Sequence, residues 1–195
     1  MRKFAQDVAG FRRFTTGAGA ALWPGDPDPG ARFAAALVGR SQHGTPVSGC
    51  PVGAHVRRAN PRDSLGDDPA ASLAHVRAHR LVRRGRLFGP RLAPGAADDG
   101  AERGLLFLAL AADLARQFEF VVQSWLNEPK FAGLSGERDP LVGSALEEAG
   151  EGGAKFSLPE SPLPREVLLE RFVRVVGGEY LFLPGLRALG YLAEL

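Results

Sequence analysis

The sequence is poor in sulfur, in lysine and in aromatic residues other than phenylalanine. One cysteine, Cys50, occurs in 195 residues, so no intramolecular disulfide can form and no pair of thiolates offers a zinc site. No oxidising compartment is implied, the N-terminus lacks a secretory apolar core, and the expected location is the cytoplasm. No apolar run reaches the roughly 18 residues of a membrane span. Of 24 basic residues three are lysine. Trp23, Trp125, Tyr180 and Tyr191 follow no spacing rule that would mark an electron relay, and they read as packing residues.

Glycine and proline are abundant, 25 and 15 residues. That share stays below the roughly 25–30% that signals a disordered chain, so long ordered loops are expected. The apolar fraction of 45% fits a globular protein able to bury about 70% of its unfolded surface. The net charge is only +2, but it is unevenly spread. From His55 to Pro90 there are eight arginines and three acids; from Glu137 to Glu151 acids dominate. Arginine suits planar, bidentate recognition of carboxylate or phosphate.

The spacing of Phe4, Val8, Phe11 and Phe14 predicts an amphipathic helix over 3–16, and a loop follows over 17–30. A second, Ala-rich helix is expected over 31–40, ended by Gly39. Residues 41–78 show no sustained periodicity and read as a long loop of the kind that is functional in compact domains. A strand is expected at 79–85 and a buried strand at 104–111. A helix over about 113–127 carries Leu114, Phe118, Val121, Val122 and Trp125 on one face, with Pro129 as its stop. Residues 132–165 read as loop. Two strands over 171–184 turn at Gly177-Gly178, and a short helix closes the chain. The order suggests an α+β fold with helices on one face of an antiparallel sheet. Few strands are visible, and an N-terminal strand is missing from this reading.

Five stretches stand out together: "CPVGAHVRRANPRDSL" (50–65), "HRLVRRGRLFGP" (79–90), "ERGLLFLALAADLARQFEFVVQSWLN" (102–127), "FAGLSGERDPLVG" (131–143) and "VVGGEYLFLPGLRALGYLAEL" (175–195). In content and order they resemble the dye-decolourising (DyP-type) haem peroxidases, over nearly the whole chain. The resemblance implies a ferredoxin-like antiparallel sheet with helices on one face, of the dimeric α+β-barrel superfamily, present here as a single unit. It implies that residues 1–195 correspond to the C-terminal, haem-binding portion of such an enzyme, with haem b as cofactor. It further implies hydrogen peroxide and an organic electron donor, such as a dye or phenolic, as reactants. The family's Gly-x-x-Asp-Gly motif, whose aspartate stands over the distal haem face, is not in this sequence. The segment "DDGAE" (98–102) lies on the wrong side of the other motifs. The N-terminal part bearing that motif is therefore expected to be absent, and association with a missing half or with further copies of the chain is expected to cover the exposed cleft.

The resemblance assigns His55 as the axial ligand of haem iron, since a neutral imidazole is a common axial ligand in peroxidases. His43, His75 and His79 have no such context. Asp139, in "GERDPLVG", matches the acidic partner of that histidine, a carboxylate that raises imidazole basicity and fixes its orientation. As a local feature alone it is a turn aspartate before Pro140. Arg83 matches the distal arginine, whose cation stabilises charge that develops as peroxide is cleaved. Arg84 is its neighbour, and strand alternation sends the two to opposite faces. Arg62 is matched to a haem propionate, with Arg57 and Arg58 as weaker candidates. Leu105 and Phe107 share a strand face and are expected to line the distal pocket, although a haem wall and a core wall look alike in sequence. Two other readings compete with a peroxidase: a haem-binding module or inactive remnant without efficient turnover, and a nucleic-acid binder using the 55–90 arginines. The second of these predicts aromatic residues on exposed strands, where Leu and Val stand instead.

Overall fold

A computed structural model describes residues 1–143, 154–160 and 163–195. The chain opens with a strand, β1 (Arg2–Gln6), and not with the expected helix. Asp7 ends that strand and caps the next element, its carboxylate accepting the Gly10 N–H at 2.7 Å. Helix α1 (Val8–Leu22) therefore starts later and runs through the segment that read as loop. The glycines and alanines of that segment serve packing. A Cβ on Gly19 would lie 2.2 Å from the Pro29 carbonyl oxygen, so only glycine lets α1 approach the start of α2 (Pro29–Val38). Helix α2 ends, as expected, at Gly39, which takes the left-handed conformation with φ 85°.

The expected loop over 41–78 contains two helices. Helix α3 (His55–Ala59) is too short to show periodicity. Helix α4 (Pro69–Ala78) starts on Asp68, which caps the N–H groups of Ala70 and Ala71, with proline in the first turn. Strands β2 (Val82–Phe88) and β3 (Gly104–Leu110) follow. The next segment forms two π-helical pieces, Ala115–Glu119 and Val121–Leu126. Phe118, Val121 and Trp125 are buried there as expected, whereas Leu114 is exposed. The stretch that read as loop over 132–165 supplies β4 (Ala154–Leu158), which pairs with β5 (Arg165–Leu169) as a small antiparallel sheet. No hairpin forms at Gly177-Gly178. Strand β6 (Val173–Gly178) ends there and pairs with β1, and the chain continues to helix α5 (Leu186–Ala193).

The main sheet is antiparallel in the order β2-β3-β1-β6. It is open, and with its helices it forms the α+β arrangement expected. Residues opposed across an antiparallel ladder project to the same side. Arg83 opposes Ala109, Gly85 opposes Phe107 and Leu87 opposes Leu105; Phe107 in turn opposes Arg2, and Leu105 opposes Phe4. This side meets the π-helical segment, because Phe107 contacts Phe118 with ring centroids 6.3 Å apart.

Two apolar clusters hold the layers together. Leu22, Phe33, Ala36, Leu37, Phe156, Leu158 and Leu169 join α1 and α2 to the small sheet. Val76 of α4 packs with Val121, Trp125, Leu126 and Phe131, and Ala59 of α3 rests on this cluster. Helix α3 is thus fixed from below by aromatic packing. Among the described residues, no helix is long and apolar enough to cross a membrane.

Candidate functional site: a buried carboxylate on a half-buried imidazole

His55 is the first residue of α3. The segment before it is drawn tightly inward: a Cβ on Gly53 would sit 2.9 Å from a Glu137 carboxylate oxygen. His55 Nδ1 and Asp139 Oδ2 are 2.9 Å apart. Asp139 is fully enclosed, while the imidazole keeps 31% of its side-chain surface exposed. The second carboxylate oxygen of Asp139 accepts the N–H groups of Leu141 at 3.0 Å and Val142 at 2.9 Å. Both oxygens are thus committed. The Asp-Pro turn read from the sequence exists, and it aims the carboxylate at His55.

Burial pushes the His55 pKa down, but the charge and hydrogen bond of Asp139 push it up by more; the Arg83 guanidinium opposes them, and the ring ends above its ordinary value. Burial raises the Asp139 pKa, and the imidazole together with the Val142 and Leu141 N–H groups outweighs it, so the carboxyl sits below its ordinary value. His55 Nε2 makes no hydrogen bond among the described residues. An imidazole with Nδ1 committed to a carboxylate and Nε2 available is the donor arrangement of a histidine that ligates a metal. The residues present fit a haem iron held by His55.

Arg83 stands on the exposed edge strand β2 and is close enough to His55 for its charge to bear on the imidazole. Its side chain has no hydrogen bond or ion pair among the described residues. Register puts Arg83, Leu105 and Phe107 on one side of the sheet and Arg84 on the other. Leu105 lies across Gly85, where a Cβ would meet its side chain at 3.0 Å. Arg62 has φ +58°, which is costly for a residue with a Cβ. The Ser72 hydroxyl holds this conformation by donating to the Arg62 carbonyl at 2.7 Å. The Arg62 guanidinium is left exposed and without a hydrogen bond among the described residues.

The two other arginines of the motif are not available to an outside ligand in the same way. Arg57 donates to the Cys50 carbonyl at 3.1 Å. Arg58 has no exposed surface at all and donates to the carbonyls of Trp125, Glu128 and Glu137. Sequence reasoning passed over Arg58 as an inward residue because arginine in a basic run reads as surface. His79 is buried and stacked on Phe120 with ring centroids 3.7 Å apart, and His75 joins the same aromatic cluster. Asp99 of the "DDGAE" segment forms a two-point ion pair with Arg103, both contacts at 2.7 Å. A cavity of about 380 Å³ lies at the opposite end of the sheet from Arg83, lined in part by Gln6, Asp7, Arg103 and Arg174, and does not include His55.

Over 199 aligned positions the chain is 30% identical to the multifunctional dye peroxidase DyP2 of an Amycolatopsis species, a match covering 80% of this chain and 40% of that protein. The chain is a homologue of the dye-decolorizing peroxidases. The dye-decolorizing peroxidase AauDyP1 of Auricularia auricula-judae is likewise 30% identical, across 75% of this chain and 30% of its own length. The solved structure of DyP2 superposes with a TM-score of 0.68 at 28% identity, covering 90% of this chain and 44% of the other. A DyP-type peroxidase from Anabaena shares the fold, with a TM-score of 0.69 at 24% identity over 90% of this chain and 42% of that one. No protein-family profile matches the chain. This homologue spans less than half the length of the peroxidases it matches.

Proposed function

We propose that residues 1–195 form the haem-binding portion of a DyP-type peroxidase, corresponding to the C-terminal part of the longer relatives. The observation that carries this reading is the 2.9 Å contact between His55 Nδ1 and the enclosed Asp139 carboxylate, in a homologue of peroxidases. His55 would hold the iron of haem b through Nε2. Asp139 holds the Nδ1 proton, fixes the ring plane and increases the electron donation of the imidazole. Haem held there would supply the redox chemistry between hydrogen peroxide and an organic electron donor.

The protein supplies the charges around it. Arg83 provides a fixed cation and N–H donors for the negative charge that develops on peroxide oxygen. It cannot act as a base, because guanidinium does not deprotonate in proteins. Arg62 pairs with a propionate by charge-assisted hydrogen bonds. Leu105 and Phe107 wall off water on the side of the sheet that carries Arg83.

A second reading, a haem-binding module with little turnover, is favoured by one observation: no carboxylate bonds to Arg83 among the described residues. Exposed Val82, Leu108 and Leu110 on the main sheet favour association with another polypeptide or with copies of this chain. A single half-buried thiol, Cys50, is compatible with the cytoplasm.

The test is an optical titration of the full chain with haemin, followed by one equivalent of peroxide. A sharp Soret band that shifts with peroxide is expected for a peroxidase. A band that forms and does not respond would select the module, and no band would remove both readings. His55→Ala should abolish the band, and full haem occupancy in that variant would overturn the ligand assignment.

A further inference from the structure

Arg58 is the largest side chain with no exposed surface in the described structure. It lies one turn after His55 in α3. One terminal nitrogen donates to the Trp125 carbonyl at 2.7 Å and the Glu128 carbonyl at 3.2 Å; the other donates to the Glu137 carbonyl at 2.8 Å. Its guanidinium carbon stands 4.9 Å from the centroid of the Phe131 ring. Burying a guanidinium on neutral acceptors is costly, since desolvation is only partly returned by carbonyl hydrogen bonds. An apolar side chain of similar volume would pack against Phe131 without that cost. The charge is therefore retained for what it holds.

What it holds is the segment that presents Asp139. Trp125 and Glu128 stand at one end of that segment, Glu137 at the other. The Asp139 N–H closes the same loop by donating to the Leu126 carbonyl at 2.7 Å. The carboxylates of Asp139, Glu137 and Glu128 are all close enough to act on the Arg58 charge, yet none hydrogen-bonds to it. Asp139 thus contacts His55 of α3 and lies within electrostatic reach of Arg58 on the same helix.

We propose that Arg58 is a positioning residue for the His55–Asp139 pair: it clamps the 125–137 segment by three carbonyls so that the Asp139 carboxylate meets His55 Nδ1. The clamp is made entirely of this chain's own residues. Its meaning for iron rests on the reading of His55 as the axial ligand.

The experiment therefore begins with the haem-free full chain, with ¹⁵N-labelled histidine, comparing wild type, Arg58→Met and Arg58→Lys by NMR. The wild type should show a downfield Nδ1–H signal from His55 that exchanges slowly with water. In Arg58→Met, exchange should speed up by roughly tenfold or more, the equivalent of losing a hydrogen bond to a charged group. The signals of His75 and His79 should stay in place, reporting an intact fold. Arg58→Lys keeps the charge and loses the fork, so it should fall between the two. An unchanged His55 signal in Arg58→Met, or identical behaviour of Met and Lys variants, would overturn the proposal. If Arg58→Met does not fold, Arg58→Lys alone decides, since wild-type exchange in that variant would show that the fork positions nothing. In the ferrous haemin-loaded chain, the iron–histidine stretching band should move to lower frequency in Arg58→Met as Asp139 loses its place on His55 Nδ1, and an unmoved band would overturn the proposal. A wild-type chain that binds no haemin would remove the peroxidase reading and leave the haem-free spectra to decide the clamp.

Discussion

Asp139 and His55 meet at 2.9 Å although 84 positions separate them in the chain. The carboxylate is enclosed and the imidazole is open on its other side. Such an arrangement orders a histidine from behind and leaves its free nitrogen for a ligand.

The pair should leave a pH signature on the stability of the haem-free protein. The His55 pKa is raised above 6.5 in the fold. Its contribution is complete below the unfolded value and is lost as pH rises through the folded one. The Asp139 pKa is lowered below 3.8, so its contribution is present above the unfolded value and is lost as pH falls through the folded one. Stabilisation by the pair is greatest between about 4 and 6.5. Asp139→Asn should cost about 1.5–3 kcal/mol in that window and less at pH 8. Urea unfolding at both pH values measures this; an equal loss at both would mean that the charge of the pair contributes nothing.

Arg83→Ala should leave haemin binding unchanged and slow the reaction with peroxide by about 10²–10³-fold, the usual effect of removing one preorganised donor to developing negative charge. Stopped-flow absorbance after peroxide mixing reads the rate directly. Arg84→Ala is the control, because register places Arg84 on the opposite side of the sheet. Equal effects from the two substitutions would remove Arg83 from the distal role.

Arg62 separates backbone strain from ligand binding. Its φ of +58° suits glycine, so Arg62→Gly should leave thermal stability within about 1 kcal/mol of wild type or slightly above it. The same substitution should weaken haemin affinity about tenfold or more through loss of a charge-assisted hydrogen bond. A variant that keeps full affinity would show that the guanidinium does not meet a propionate.

The elements whose signals are local were legible, and those that depend on partners were not. Strand β3 and helix α2 agree with the sequence reading because an apolar run and a glycine terminator are local features. Strand β1 was read as helix because Phe4 continues the spacing of Phe11 and Phe14, while its pairing with β3 and β6 leaves no mark within five residues. Capping signals at Asp7 and at Asp68-Pro69 were present and outweighed by surrounding glycine, alanine and proline. The hairpin expected at Gly177-Gly178 is replaced by pairing with β1, a partner 170 or so positions away that loop-closure entropy makes invisible to local patterns.

Residue identity and order point to the chemistry proposed: a histidine within an arginine-rich motif, a later aspartate before proline, and the ordered stretches shared with peroxidases. Those follow from residue identity and order, which the chain carries whether folded or not. Only the tertiary structure decided the roles inside the basic run. Arg57 and Arg58 are adjacent and chemically identical, yet helix geometry turns one to the Cys50 carbonyl and buries the other on three carbonyls. Which arginine can reach a ligand and which must hold the scaffold is set by burial. Burial is a property of contacts between segments distant in the chain.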